Sequence, residues 1–269
     1  MPRIMNHGKF EVRPDYKEAE DLAEAIAEYH KYFDKKLASI DAMGKSTTQL
    51  ISMFAWIDCL AQEAANYPAD SKTAFCQFVL KHQKQCDYME CVEPVTLYYH
   101  VEDLIDEVVL IPGFPPEKAI SLEDIFLLSA TPIETIIQGN KAQKILEYIE
   151  RKCGTAFAAK KAKEHQLISL LYRMRSKAVH EMSGLGQSIN GGLRDDPQVP
   201  FYRDIGRSYV HDGDWVSDDI IELTIPNIFV RNILADCFDG YLADCASNNH
   251  FPFSNNRMNR KHNLSWYDK

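Results

Sequence analysis

Arg173, Arg175, Ser176, Lys177 and His180 crowd into the segment LISLLYRMRSKAVHEMS of a 269-residue chain. Arginine's planar guanidinium grips a phosphate through two parallel hydrogen bonds and stabilises the added charge of a pentavalent transition state. Histidine, with an ordinary pKa of about 6.5, gives or takes a proton near neutral pH. RNA supplies its own nucleophile in the 2′-hydroxyl, so this set suits phosphodiester cleavage without a metal. One histidine does not easily serve as base and acid in a single concerted step. A symmetric homodimer would bring a second copy of each residue to one groove. Arg175, His180, Ser176 and Arg173 are therefore the candidate catalytic residues, and Lys177 and Arg173 the candidate RNA contacts.

The helix expected to carry them runs from about 157 to 182, without proline or internal glycine, and stops at Ser183-Gly184. Leu167, Leu170, Leu171, Met174 and Ala178 recur at steps of three and four and predict the core face. Tyr172, Ser176, Val179 and His180 lie along an adjacent stripe, with Arg175 beside it. Arg173 is seven residues before His180 and points nearly the same way; Ser176, four residues before, is its neighbour. Glu181 adjoins His180 in sequence, but successive helical residues diverge by about 100°, so the two do not form a dyad.

The wording LYRMRSKAVH also resembles the R-x4–6-H signature of the HEPN superfamily (higher eukaryotes and prokaryotes nucleotide-binding), closest to its Apea-like branch. Arg175 with His180 matches a four-residue spacer and Arg173 with His180 a six-residue one; the Arg-Ser before the spacer favours Arg175. ISMFAWIDCLA followed by FCQFVLKH resembles that branch's early helix pair, and IPNIFVRNIL extends the likeness. The resemblance implies a mainly α fold, a HEPN-like helical bundle with additional helices. It also implies a metal-independent endoribonuclease of toxin or antiviral-defence systems, active as a homodimer and leaving a 2′,3′-cyclic phosphate. Ser176 departs from the Asn, Asp or His that often follows the motif arginine. The superfamily also contains non-catalytic modules that bind nucleotide, RNA or a partner protein such as an antitoxin. No cofactor or metal is expected.

Charge is distributed unevenly. The net charge of −9 argues against a protein held on nucleic acid by bulk electrostatics. Yet Arg151 to Glu181 holds eight basic residues against two acidic ones, while Phe201 to Cys245 holds three arginines against nine acids. Seven scattered cysteines suggest buried thiols in a reducing, cytoplasmic setting, and Cys86 and Cys91 make a weak zinc signal. No apolar run approaches membrane-spanning length, and the first residues lack a secretory leader's apolar core. Asp58, inside an apolar stretch, is a candidate groove residue or a satisfied buried polar group. Arg257, Arg260 and Lys261 are weak phosphate contacts or a solvated tail. GLGQSINGGLRDDPQ follows a helix instead of opening one, which makes it a connection and not a phosphate loop. The remaining histidines, including His100 and His211, show no metal-ligand spacing.

Positioning these residues requires a bundle. Periodicity predicts helices over 15–40, 47–65 and 71–83, with Gly44 as a stop and Ser46 or Thr47 as a cap. CVEPVTLYYH has strand character and IPGFPPEKA reads as a loop. Helices resume over SLEDIFLLS, PIETIIQ and KAQKILEYIERK. A small β-hairpin is expected near 201–225, followed by a helix started by Pro226. With no repeat and no linker, a single domain over 1–269 is the simplest organisation. Its parts are N-terminal helices at 15–84, a variable insertion at 85–155, the motif helix at 157–182, the hairpin and C-terminal helix at 201–246, and a tail at 247–269.

Overall fold

Local capping chemistry starts each of the first three helices. In the computed structural model, α1 (Leu22–Asp41) begins at Asp21, whose carboxylate accepts the Glu24 N–H at 2.8 Å. Gly44, at φ +68°, ends the turn that follows, a conformation that glycine adopts without strain. α2 (Thr47–Ala64) is capped by Ser46, which accepts the Gln49 N–H at 3.1 Å, and α3 (Ser71–His82) by Asp70, which accepts from Thr73. The described residues are 21–44, 46–65, 70–101, 131–132, 141–181, 189–192, 198–211 and 214–253. They add α4 (Pro94–Val101), α5 (Lys141–Cys153), α6 (Thr155–Glu164), α7 (Leu167–Glu181) and α8 (Asn227–Ser247), making the chain mainly α.

The β structure is small and built on the expected hairpin. Strands β3 (Phe201–His211) and β4 (Asp214–Pro226) pair antiparallel from Phe201↔Thr224 to His211↔Asp214. β1 (Thr131–Pro132) adds antiparallel to β3, and β2 (Ile189–Gly192) adds parallel to β4, giving the order β1-β3-β4-β2. Pro226 then opens α8.

α8 is the central helix, packed on α1, α2 and α3, while α7 packs on α2 and α3. Phe33 of α1 stacks on Phe238 of α8 with ring centroids 3.9 Å apart, and Trp56 of α2 meets both edge-on. Where α3 crosses α8, Gly240 makes the approach possible: a Cβ there would lie 2.3 Å from His82 Nδ1. The predicted stripe of α7 (Leu167, Leu170, Leu171, Met174, Ala178) is buried in this core. A smaller apolar cluster of Leu97, Val101, Ile145, Ile149 and Ala158 joins α4, α5 and α6. No described helix is long and apolar enough to cross a membrane.

Three expectations are corrected. CVEPVTLYYH is not a strand: Pro94 opens α4, and the Glu93 carboxylate caps it by accepting the Val95 and Thr96 N–H groups at 2.7 Å each. The span 157–182 is two helices, not one, parted at His165 and Gln166. There the backbone leaves its own helix to pair with the preceding segment. Glu93 N–H donates to His165 O, Leu167 N–H to Cys91 O and Ile168 N–H to Met89 O, with a bridge between Val92 and Gln166. Those long-range bonds satisfy groups that a helix end would otherwise orphan. Residues 15–20, 182–188, 254–269 and most of 102–140 lie outside the described residues. The expectations for SLEDIFLLS, most of PIETIIQ, Arg257, Arg260 and Lys261 fall there. Within the expected GLGQSINGGLRDDPQ connection, Ile189–Gly192 is not loop but strand β2, held by pairing with β4.

Candidate functional site

α7 carries all five predicted site residues and turns its two arginines into two different seams. Arg173 and Arg175 are two residues apart, about 200° around a helix, so they leave opposite sides of it. Arg175 turns toward α2. Its guanidinium Nη2 donates to Asp58 Oδ2 in a close ion pair, and its Cζ lies 5.6 Å from the Tyr172 ring centroid. The side chains are 11% and 19% exposed, so the pair is largely withdrawn from water. The other Asp58 oxygen is buried and has no hydrogen-bond partner among the described residues. Asp58, which the sequence left as a groove residue or a buried polar group, is thus the partner of the favoured motif arginine.

Ser176 and Lys177 are half-buried, one and two residues further along α7. His180 stands in its last turn, and the His180 side chain lies outside the described residues. Arg173, seven residues before His180 on the same helix, turns away from the Arg175 seam. Its Nη2 donates to the Glu164 carbonyl at 3.2 Å, back across the α6–α7 break. Burial lowers its pKa, with Glu164 and Glu93 opposing that shift. The expected basic face is therefore not one surface. Lys161, Arg173 and Arg175 turn inward, whereas Arg151, Lys152, Lys160 and Lys163 are exposed.

The second seam, between α4, α6 and α7, holds chemistry that the sequence did not announce. His100 of α4, Glu164 at the end of α6 and His165 in the break each bring one donor atom, and these atoms lie within 4.8 Å of one another. The two imidazole rings meet edge to face at 5.0 Å. Lys161 Nζ lies 2.8 Å from His100 Nε2 and 2.9 Å from Glu164 Oε2. Thr96 Oγ1 lies 3.1 Å from His165 Nδ1. Burial, then Arg173, His100 and Lys161, pushes His165 down to about 3, and burial with Lys161 lowers His100 as well. Lys161 and Glu164 are a helical i, i+3 pair visible in the sequence. The two histidines belong to segments that only the α6–α7 break brings together.

Behind this seam, Glu93 is fully buried and accepts from Val95, Thr96 and the Tyr202 hydroxyl of β3. Burial raises the Glu93 carboxyl despite those donors and raises Tyr202 well above its ordinary value. All seven cysteines are free, and burial pushes the Cys86 thiol up to about 11. Comparison of the chain with protein-family models, with curated proteins and with solved structures returns no match. The HEPN resemblance thus stands on the residues of α2, α3, α7 and α8 alone.

Proposed function

We propose that this chain is a HEPN-type endoribonuclease, of the toxin or defence kind, that cleaves RNA by 2′-hydroxyl attack without a metal. Two copies form the groove. Arg175 stabilises the charged phosphorane, His180 moves the proton, Ser176 lies between them, and Lys177 contacts the RNA backbone. The observation that supports this reading is the Arg175–Asp58 ion pair. A helical bundle gains little from a buried guanidinium, because desolvating the pair offsets much of its attraction. Asp58 and the Tyr172 ring instead hold the fork of the motif arginine in one orientation, which is what phosphate recognition needs.

The test is RNA cleavage by the parent and by His180→Ala. Loss of the acid–base group should slow cleavage by roughly 10²-fold or more. The parent should form 2′,3′-cyclic phosphate ends in the presence of a chelator. Equal rates for parent and variant would remove His180 from the chemistry, and chelator-abolished cleavage would remove the metal-independent route.

A second reading is favoured by the same pair: Asp58 already neutralises Arg175, and the arginine is only 9% exposed. On this reading the chain is a non-catalytic HEPN module whose groove binds a nucleotide, RNA or a partner protein such as an antitoxin. It predicts no cleavage of any RNA by the parent, together with a nucleotide or partner affinity that Arg175→Ala abolishes.

A further inference from the structure

The seam between α4, α6 and α7 contains three ligand-type side chains around a lysine ammonium, on the other side of α7 from Arg175. An ammonium has donors only, so His100 Nε2, 2.8 Å from Lys161 Nζ, must accept and present a lone pair toward that position. Glu164 Oε2 presents another from 2.9 Å. His165 is 1% exposed, and the tautomer that donates Nδ1–H to Thr96 Oγ1 leaves a lone pair on Nε2. That Nε2 is buried and has no hydrogen-bond partner among the described residues. Leaving it so is costly unless something accepts the lone pair.

We propose that His100, Glu164 and His165 form a binding site for a divalent transition metal of the zinc class, for which the Lys161 ammonium is the built-in competitor. Two imidazoles and a carboxylate select zinc, cobalt or nickel over magnesium or calcium, which prefer all-oxygen shells. Ligand atoms around tetrahedral zinc lie about 3.3 Å apart, given bonds of about 2.0–2.1 Å. The three donor atoms span up to 4.8 Å, so closing on an ion takes side-chain rotation, not backbone movement. His100 is exposed and the Glu164 side chain 33% exposed, which leaves both free to make it, while His165 is the fixed ligand.

Thr96 supplies the outer hydrogen bond that orients a ligating histidine, and its own N–H is held by Glu93. The fourth coordination position falls to water. Bound metal would tie α4 to the α6–α7 break and so fix the start of α7. The proposal does not rest on the nuclease reading.

The experiment is titration of the full chain, stripped with chelator and kept reduced, with Zn²⁺ by calorimetry and with Co²⁺ by visible absorption. The expected result is one ion per chain, with a cobalt spectrum of nitrogen and oxygen ligands and no thiolate charge-transfer band. His100→Ala and Glu164→Gln change accessible side chains and should each weaken binding at least tenfold while leaving the metal-free thermal midpoint in place. Lys161→Met should bind more tightly than the parent, and Thr96→Val more weakly. Zn²⁺ should raise the thermal midpoint of the parent and not that of His100→Ala. Absence of stoichiometric binding, or unchanged binding in His100→Ala and Glu164→Gln, would overturn the site. Weaker binding in Lys161→Met would overturn the competition.

Discussion

The two sides of α7 handle a buried arginine in opposite ways. Arg175 meets a carboxylate from a distant helix, so its charge is matched by another charge. Arg173 meets a backbone carbonyl and sits among imidazoles, and burial lowers its pKa. A matched pair resists the loss of either member, because the survivor is left as an uncompensated charge. An arginine held by a neutral carbonyl has less to lose. The α2 seam is thus rigid and specific, and the α4–α6 seam is a softer collection of two imidazoles and a carboxylate around a displaceable lysine.

The sharpest way to break this comparison is Asp58→Ala. It strands the Arg175 guanidinium in the interior and should cost about 3–5 kcal/mol of unfolding free energy in urea denaturation. The double variant Asp58→Leu with Arg175→Met removes both charges and should recover most of that loss. A single-variant loss below about 1 kcal/mol would class the pair with solvent-exposed ion pairs, and the contrast with Arg173 would vanish.

Tyr202→Phe probes the soft seam's foundation and ranks second. It deletes one donor to the fully buried Glu93 carboxyl, which keeps the Val95 and Thr96 N–H groups. The expected loss is about 1–3 kcal/mol, the range for a buried acceptor deprived of one partner. Arg173→Met should cost less, about 1 kcal/mol or below. It forfeits one hydrogen bond to a carbonyl but also relieves the burial of a charge. If Arg173→Met proved as harmful as Asp58→Ala, the two seams would not differ in kind.

Most of the rigid seam was legible in the sequence, and most of the soft one was not. The Leu167, Leu170, Leu171, Met174 and Ala178 stripe, the Ser46 cap and the Pro226 start depend on neighbours within a few residues, and each stands as read. Asp58 drew notice as an acid among apolar residues, though its spacing to Arg175 carried no signal. The soft seam depends on a helix break that no glycine or proline marks. Gln166 leaves the helix because its neighbours pair with 89–93, a long-range bond invisible to periodicity. Metal-ligand spacing could not reveal His100 beside His165, since the α4 turn and this break bring them together.

The smallest effect sharpens the comparison from outside both seams. His82 sits where α3 crosses α8, its ring against Phe78 and its Nε2 3.2 Å from Asp244 Oδ2. Burial lowers its pKa, Lys81 and Lys84 push the same way, and Asp244 opposes them. The unfolded chain therefore binds this proton more readily than the folded one. The stability it contributes is fully present above about pH 6.5 and is lost as pH falls toward the lowered folded value. In the parent, unfolding free energy should decline on acidification below pH 6.5. His82→Gln, which cannot take up the proton, should show a shallower slope by at most one proton. An unchanged slope would assign the whole acid response elsewhere, with the neutral imidazoles of the α4–α6 seam as the first place to look.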